Sequence, residues 1–179
     1  MLLLLLLLPT LYHGQNLATW TFDSVGTGGA LTPSGFWRAP EEGSLAATAN
    51  ATLQSGGSWA PTVALSTGLG GSKALSTTQY ALSAPNVGPV FMLNLSMFFR
   101  PVDFSFFSQR SATGPWCAQL QYSINGPLGP YESFGQNASV PMSWLLASAA
   151  LPWRALGATS LAVRVRGFNA SGGGGHSSD

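Results

Sequence analysis

The chain has 179 residues and a net charge of +1 from seven basic and six acidic side chains. Charged residues make up 7% of it, against about 25% in an average soluble protein, which excludes the basic footprint of a nucleic-acid or anionic-membrane binder. A single cysteine, Cys117, excludes an intrachain disulfide framework, so folding must rest on a core, with Ser, Thr, Asn and Gln carrying the surface.

Seven consecutive leucines, Leu2 to Leu8, are followed by Pro9 and the polar stretch His13-Gly14-Gln15-Asn16. A bilayer span takes about 20 apolar residues, so this run reads as the apolar core of a signal peptide covering 1–15. It directs the remaining chain out of the cell, although no Lys or Arg precedes the leucines. The remainder divides into one domain, 16–170, and a glycine- and serine-rich tail, 171–179, expected to be flexible.

Within the domain, period-two alternation dominates over helical periodicity. Asn16 to Phe22 puts Ala18, Trp20 and Phe22 on one face. Between Val25 and Ser76, Pro33, Pro40, Pro61 and many Gly and Ser residues break the pattern into loops and short edge strands. Val90 to Arg100 sets Phe91, Leu93, Leu95, Met97 and Phe99 against Asn94 and Ser96. Phe104 to Phe107 follows as a short strand. Trp116 to Ile124 then groups Trp116, Ala118, Leu120, Tyr122 and Ile124 as a core face, opposite Cys117, Gln119, Gln121 and Ser123. The Asn125-Gly126 pair signals a turn, and Tyr131 to Phe134 a return strand. Ser143 to Trp153 fits a strand or a helical turn equally well. Ser160 to Phe168 alternates again, with Leu161, Val163 and Val165 inward and Arg164 and Arg166 outward. Evenly spaced strands without helices predict an all-β, antiparallel two-sheet sandwich of jelly-roll type.

Four N-x-[ST] sequons begin at Asn50, Asn94, Asn137 and Asn169; in a eukaryotic secretory pathway they are glycosylation candidates. Trp37, Trp59 and Trp153 fall in irregular segments where an exposed ring would stack on sugars, whereas Trp20, Trp116 and Trp144 read as core. Arg164 and Arg166, two apart on an outward strand face, suit an acidic sugar or a sulfate. Asp23 and Asp179 are weak calcium candidates, short of the six to eight oxygens that Ca²⁺ takes. With two histidines and one cysteine, no closed transition-metal site is expected. The glycine tracts at 26–29 and 172–175 lack the lysine of a phosphate loop, so no cofactor is expected either.

The strand Phe91 to Phe99, the segment Arg110-Ser111-Ala112-Thr113-Gly114-Pro115, the turn Ser123-Ile124-Asn125-Gly126, Trp144 and the run Arg164-Val165-Arg166-Gly167-Phe168-Asn169-Ala170 resemble, in order and spacing, the extracellular β-sandwich domain of PEP-CTERM, exosortase-sorted bacterial surface proteins. The resemblance implies residence at the cell surface or in a matrix. In that family one more strand, usually opening Asp-Asn, follows the glycine-rich turn, and a sorting segment follows that. Here both are missing before Asp179, which predicts a C-terminally truncated sandwich with the Trp20 strand left as an edge open to self-association.

The expectation is a secreted, non-catalytic β-sandwich module that binds carbohydrate or associates with matrix, its partners being polysaccharide or other surface proteins. Two alternatives stay open: a jelly-roll carbohydrate-active hydrolase or lyase whose acids include Asp103 or Glu132, and a non-functional fragment.

Overall fold

A computed structural model describes residues 16–21, 31–32, 35–38, 42–43, 51–55, 63–67, 70, 73–77, 88–95, 101–170 and 176–178. Among the described residues, twelve strands form in chain order: β1 (Leu31–Thr32), β2 (Gly35–Arg38), β3 (Ala51–Ser55), β4 (Val63–Thr67), β5 (Lys73–Thr77), β6 (Pro89–Asn94), β7 (Asp103–Arg110), β8 (Pro115–Ser123), β9 (Glu132–Ser139), β10 (Leu145–Ala150), β11 (Ser160–Ala170) and β12 (His176–Ser178). A 3-10 turn, Trp153–Gly157, links β10 to β11. The strands make two antiparallel sheets, one of seven in the order β1-β2-β3-β6-β11-β8-β9 and one of five in the order β10-β7-β12-β5-β4. The fold is the two-sheet sandwich that the alternation predicts.

Inward-facing residues of the two sheets meet as one core. Leu161, Val163 and Val165 from β11, Ala118, Leu120 and Tyr122 from β8, Phe134 from β9 and Phe106 from β7 are all buried in it. Aromatic edges lock the layers: Phe91 of β6 meets Phe104 of β7 edge-to-face at 5.1 Å between ring centres, and Trp20 meets Phe91 in the same way at 5.1 Å. Gly88 enters β6 with φ +151°, and a Cβ there would overlap the Val165 carbonyl of β11. Only glycine allows the two backbones to close up at that point.

Several expectations need correction. The strand expected over Asn16 to Phe22 is, over its described part, a single antiparallel bridge between Thr19 and Glu42. Trp20 packs on the core there and is no open sheet edge. Trp116 and Ile124 share the inward parity of β8 but lie at its start and just past its end, 52% and 43% exposed. Trp116 instead stacks under Arg110, whose guanidinium carbon lies 3.8 Å from the ring centre. The ambiguous Ser143 to Trp153 segment becomes β10, because β7 offers it a six-residue antiparallel partner.

The expected tail also changes character. His176–Ser178 is β12, hydrogen-bonded to β5 on one side and to β7 on the other. A strand therefore does follow the glycine tract, in the interior of the five-stranded sheet rather than beside Trp20. Residues 1–15, Trp59, Asn50, Asp23 and Asp179 lie outside the described residues.

Candidate functional site

The face of the seven-stranded sheet turned away from the core carries a polar network, and its register explains why. Antiparallel pairing sets Arg164 of β11 directly opposite Gln121 of β8, and Arg166 opposite Gln119. Side chains opposite each other in a ladder are neighbours on one face. The same row continues through Ser133 of β9 on one side and through Val90 of β6 and Gln54 of β3 on the other. Trp37 of β2 is the backbone register partner of Gln54 at the far end of that row.

Arg164 is pinned. Its Nε and Nη2 both donate to Gln121 Oε1, at 3.0 and 2.6 Å, and its guanidinium carbon sits 3.8 Å from the centre of the Tyr131 ring. Gln121 Nε2 donates in turn to Gln119 Oε1 at 3.2 Å and to Ser133 Oγ at 3.5 Å. Gln119 Oε1 also accepts from Arg166 Nη1 at 3.3 Å, and Gln119 Nε2 donates to Asn137 Oδ1 at 3.2 Å. Asn137 reaches Gln119 through a bulge: the β8–β9 register shifts between Ala118 and Leu120, so residues 135–137 of β9 stand against Gln119 alone. Gly135, with φ +65°, supplies the left-handed backbone this needs.

Tyr131 is carried by the connection between β8 and β9. Gly126, the glycine of the turn that Asn125-Gly126 signals, has φ +90°, and its carbonyl accepts from Gly129 N–H at 3.3 Å. Ser123 Oγ accepts the Asn125 N–H at 3.1 Å, and the Tyr131 hydroxyl donates to the Pro127 carbonyl at 2.8 Å. A Cβ on Gly129 would press on the Tyr131 ring at 3.0 Å. The loop thus holds the aromatic ring over the arginine.

Burial grades across this face. Arg164 is 5% exposed and Gln121 9%, whereas Arg166 and Gln119 are half-buried and Asn137 is exposed. Arg164 is therefore not the solvated outward residue that the alternation suggests; it lies on the predicted face but is covered by Tyr131. Burial lowers its basicity, Tyr131 opposes that effect, and the like charge of Arg166 adds to it. Burial likewise raises the Tyr131 phenol above its usual range.

The other predicted site residues distribute differently. Trp153 is 76% exposed on the 3-10 turn, where Ile124, Trp153, Arg154, Leu156, Gly157 and Ala158 line an open cleft of about 470 Å³. Nearby, Glu132 pairs with Arg154 at 3.5 Å and accepts the Tyr122 hydroxyl at 2.8 Å. Asp103 is exposed on β7, in the other sheet. Asn94 and Asn137 are exposed, as a glycosylated side chain needs to be. Cys117 is half-buried on the polar side of β8, opposite Phe168 and Ser139. Gln119, Gln121, Tyr131 and Ser133 were not among the predicted site residues, and Asn137 was predicted only as a glycosylation candidate. The sequence signal for two of them was their shared parity on β8, which gains meaning only once β8 is paired with β11.

No family model matches the chain, and no curated protein does. Solved structures do. The CBM22-1 xylan-binding domain of Paenibacillus barcinonensis Xyn10C is similar with a TM-score of 0.54 at 17% identity, over 71% of this chain and 81% of that one. The tandem CBM22-1-CBM22-2 domain of the same protein gives a TM-score of 0.56 at 16% identity, over 93% of this chain, which spans 43% of the tandem's length. At such identity the likeness establishes a shared β-sandwich fold.

Proposed function

We propose that this protein is a non-catalytic carbohydrate-binding β-sandwich module that works outside the cell and takes a polysaccharide across the polar face of its seven-stranded sheet. The observation that carries this proposal is the ladder of amide and guanidinium groups at Gln119, Gln121, Asn137, Arg164 and Arg166, flanked by Tyr131, on a sandwich similar to a xylan-binding domain. Amides and guanidinium groups in fixed positions suit the hydroxyls of a sugar, and an aromatic ring beside them suits its apolar face. The leucine-rich leader, the sequons and the scarcity of charge support an extracellular setting.

An enzymatic alternative draws less support. A glycosidase needs two carboxyl groups flanking one bond, yet Asp103 and Glu132 stand on different sheets and Glu132 is engaged by Arg154 and Tyr122. Affinity electrophoresis through gels cast with a panel of soluble polysaccharides tests the proposal, with reducing-end release followed in parallel. Retardation by at least one polymer without release of reducing ends is the expected result. Release of reducing ends would turn the assignment to an enzyme.

A further inference from the structure

The network on the sheet face has a surplus of donors and positive charge. Every amide oxygen in it is already occupied: Gln121 Oε1 by two bonds from Arg164, Gln119 Oε1 by Gln121 and Arg166, and Asn137 Oδ1 by Gln119. Two guanidinium groups remain with neutral partners only, and among the described residues no carboxylate contacts either of them. Arg166 Nε is buried with no hydrogen-bond partner. Buried cations are ordinarily paired with anions, because an uncompensated one is costly. Two neighbouring arginines without a carboxylate partner are an arrangement that receives a carboxylate or sulfate through charge-assisted N–H···O bonds.

We infer that the missing anion belongs to the ligand: the domain binds a polysaccharide bearing carboxylate or sulfate groups, Arg166 meeting the negative group and Arg164 positioning the network beneath it. This rests on the carbohydrate-binding reading and adds the ligand's charge class. Arg166 is the contact because it is half-buried beside exposed Asn137, where the face opens. Arg164 is the support because both its bonds to Gln121 and its stacking on Tyr131 are already made. A neutral glycan would leave the net positive charge of the cluster uncompensated. An anionic one compensates it.

The test uses the full chain with two matched polymer pairs: polygalacturonate with its carboxyl-reduced form, and dextran sulfate with dextran. Affinity for the charged member of at least one pair is expected to exceed that for its neutral partner about tenfold, and the pair showing the gap names the group. The gap is expected to close near about 1 M NaCl, where the screening length falls to about 3 Å. Arg166→Gln is expected to erase the gap, with circular dichroism and melting checked on the same sample. Asn137→Asp, at an exposed position that keeps its acceptor for Gln119, is expected to narrow the gap by placing a negative charge at the rim. Equal affinity within both pairs, or a gap unmoved by both substitutions, overturns the inference while the carbohydrate reading stands. Failure to bind any polysaccharide of the wider panel overturns both.

Discussion

Replacing Gln121 by leucine removes the acceptor on which the buried Arg164 depends. Arg164 is 5% exposed, and its guanidinium group places two donors, at 3.0 and 2.6 Å, on one oxygen. A hydrogen bond to a charged group is worth about 1.5–3 kcal/mol net, two such bonds are lost here, and leaving a buried donor unsatisfied costs about 1–3 kcal/mol, more when the donor is charged. Gln121→Leu is therefore expected to lower unfolding free energy by about 3–5 kcal/mol, and the melting temperature by on the order of 10 °C for a domain of this size. The double variant Gln121→Leu, Arg164→Met removes donor and acceptor together and is expected to recover most of that loss, since well-packed apolar replacements of buried polar pairs are often near neutral. Urea unfolding of the two single variants and the double variant completes the cycle, with a coupling energy of about 2 kcal/mol or more expected. A single variant costing under about 1 kcal/mol, or simple additivity across the cycle, would show that water reaches the guanidinium group and that Gln121 does not hold it.

Three other outcomes follow from the same structure. Gly88→Ala is expected to destabilise by about 3 kcal/mol or more in urea unfolding, because its Cβ would meet the Val165 backbone rather than a movable side chain. Tyr122 titrates above its usual range in the folded state, chiefly through burial and then through its bond to Glu132, and Tyr131 does so through burial. Both phenols hold their protons more tightly folded than unfolded, so their contribution is complete below about pH 10 and is lost as pH rises through the folded values. Urea midpoints are expected to fall above about pH 10, and less steeply in Tyr122→Phe; a flat profile would contradict this. Trp153→Ala, at a 76% exposed position, is expected to leave stability within about 0.5 kcal/mol in the same assay.

The strands of the second half are legible because their burial alternates, as Leu161, Val163 and Val165 against Arg164 and Arg166 illustrate. Parity assigns a face but says nothing of how far along a strand burial extends, which is why Trp116 and Ile124 read as core and lie exposed. It is equally silent on what folds over a face. Arg164 is buried because the 124–131 connection returns Tyr131 onto it, a contact spanning 33 positions of sequence. β12 is illegible for another reason. His-Ser-Ser has no apolar pattern, and its strand conformation comes from hydrogen bonding to β5 and β7 on either side. Leu145–Ala150 suits helix or strand locally, and the ladder with β7 decides between them.

The most direct measurement is amide chemical-shift mapping on the isotope-labelled protein titrated with oligogalacturonate. Perturbations centred on Gln119, Gln121, Asn137 and Arg166, spreading along β8, β9 and β11, are the expected result. Perturbations confined to β7 and β10, with the polar face of the seven-stranded sheet unmoved, would contradict the assignment of the binding surface.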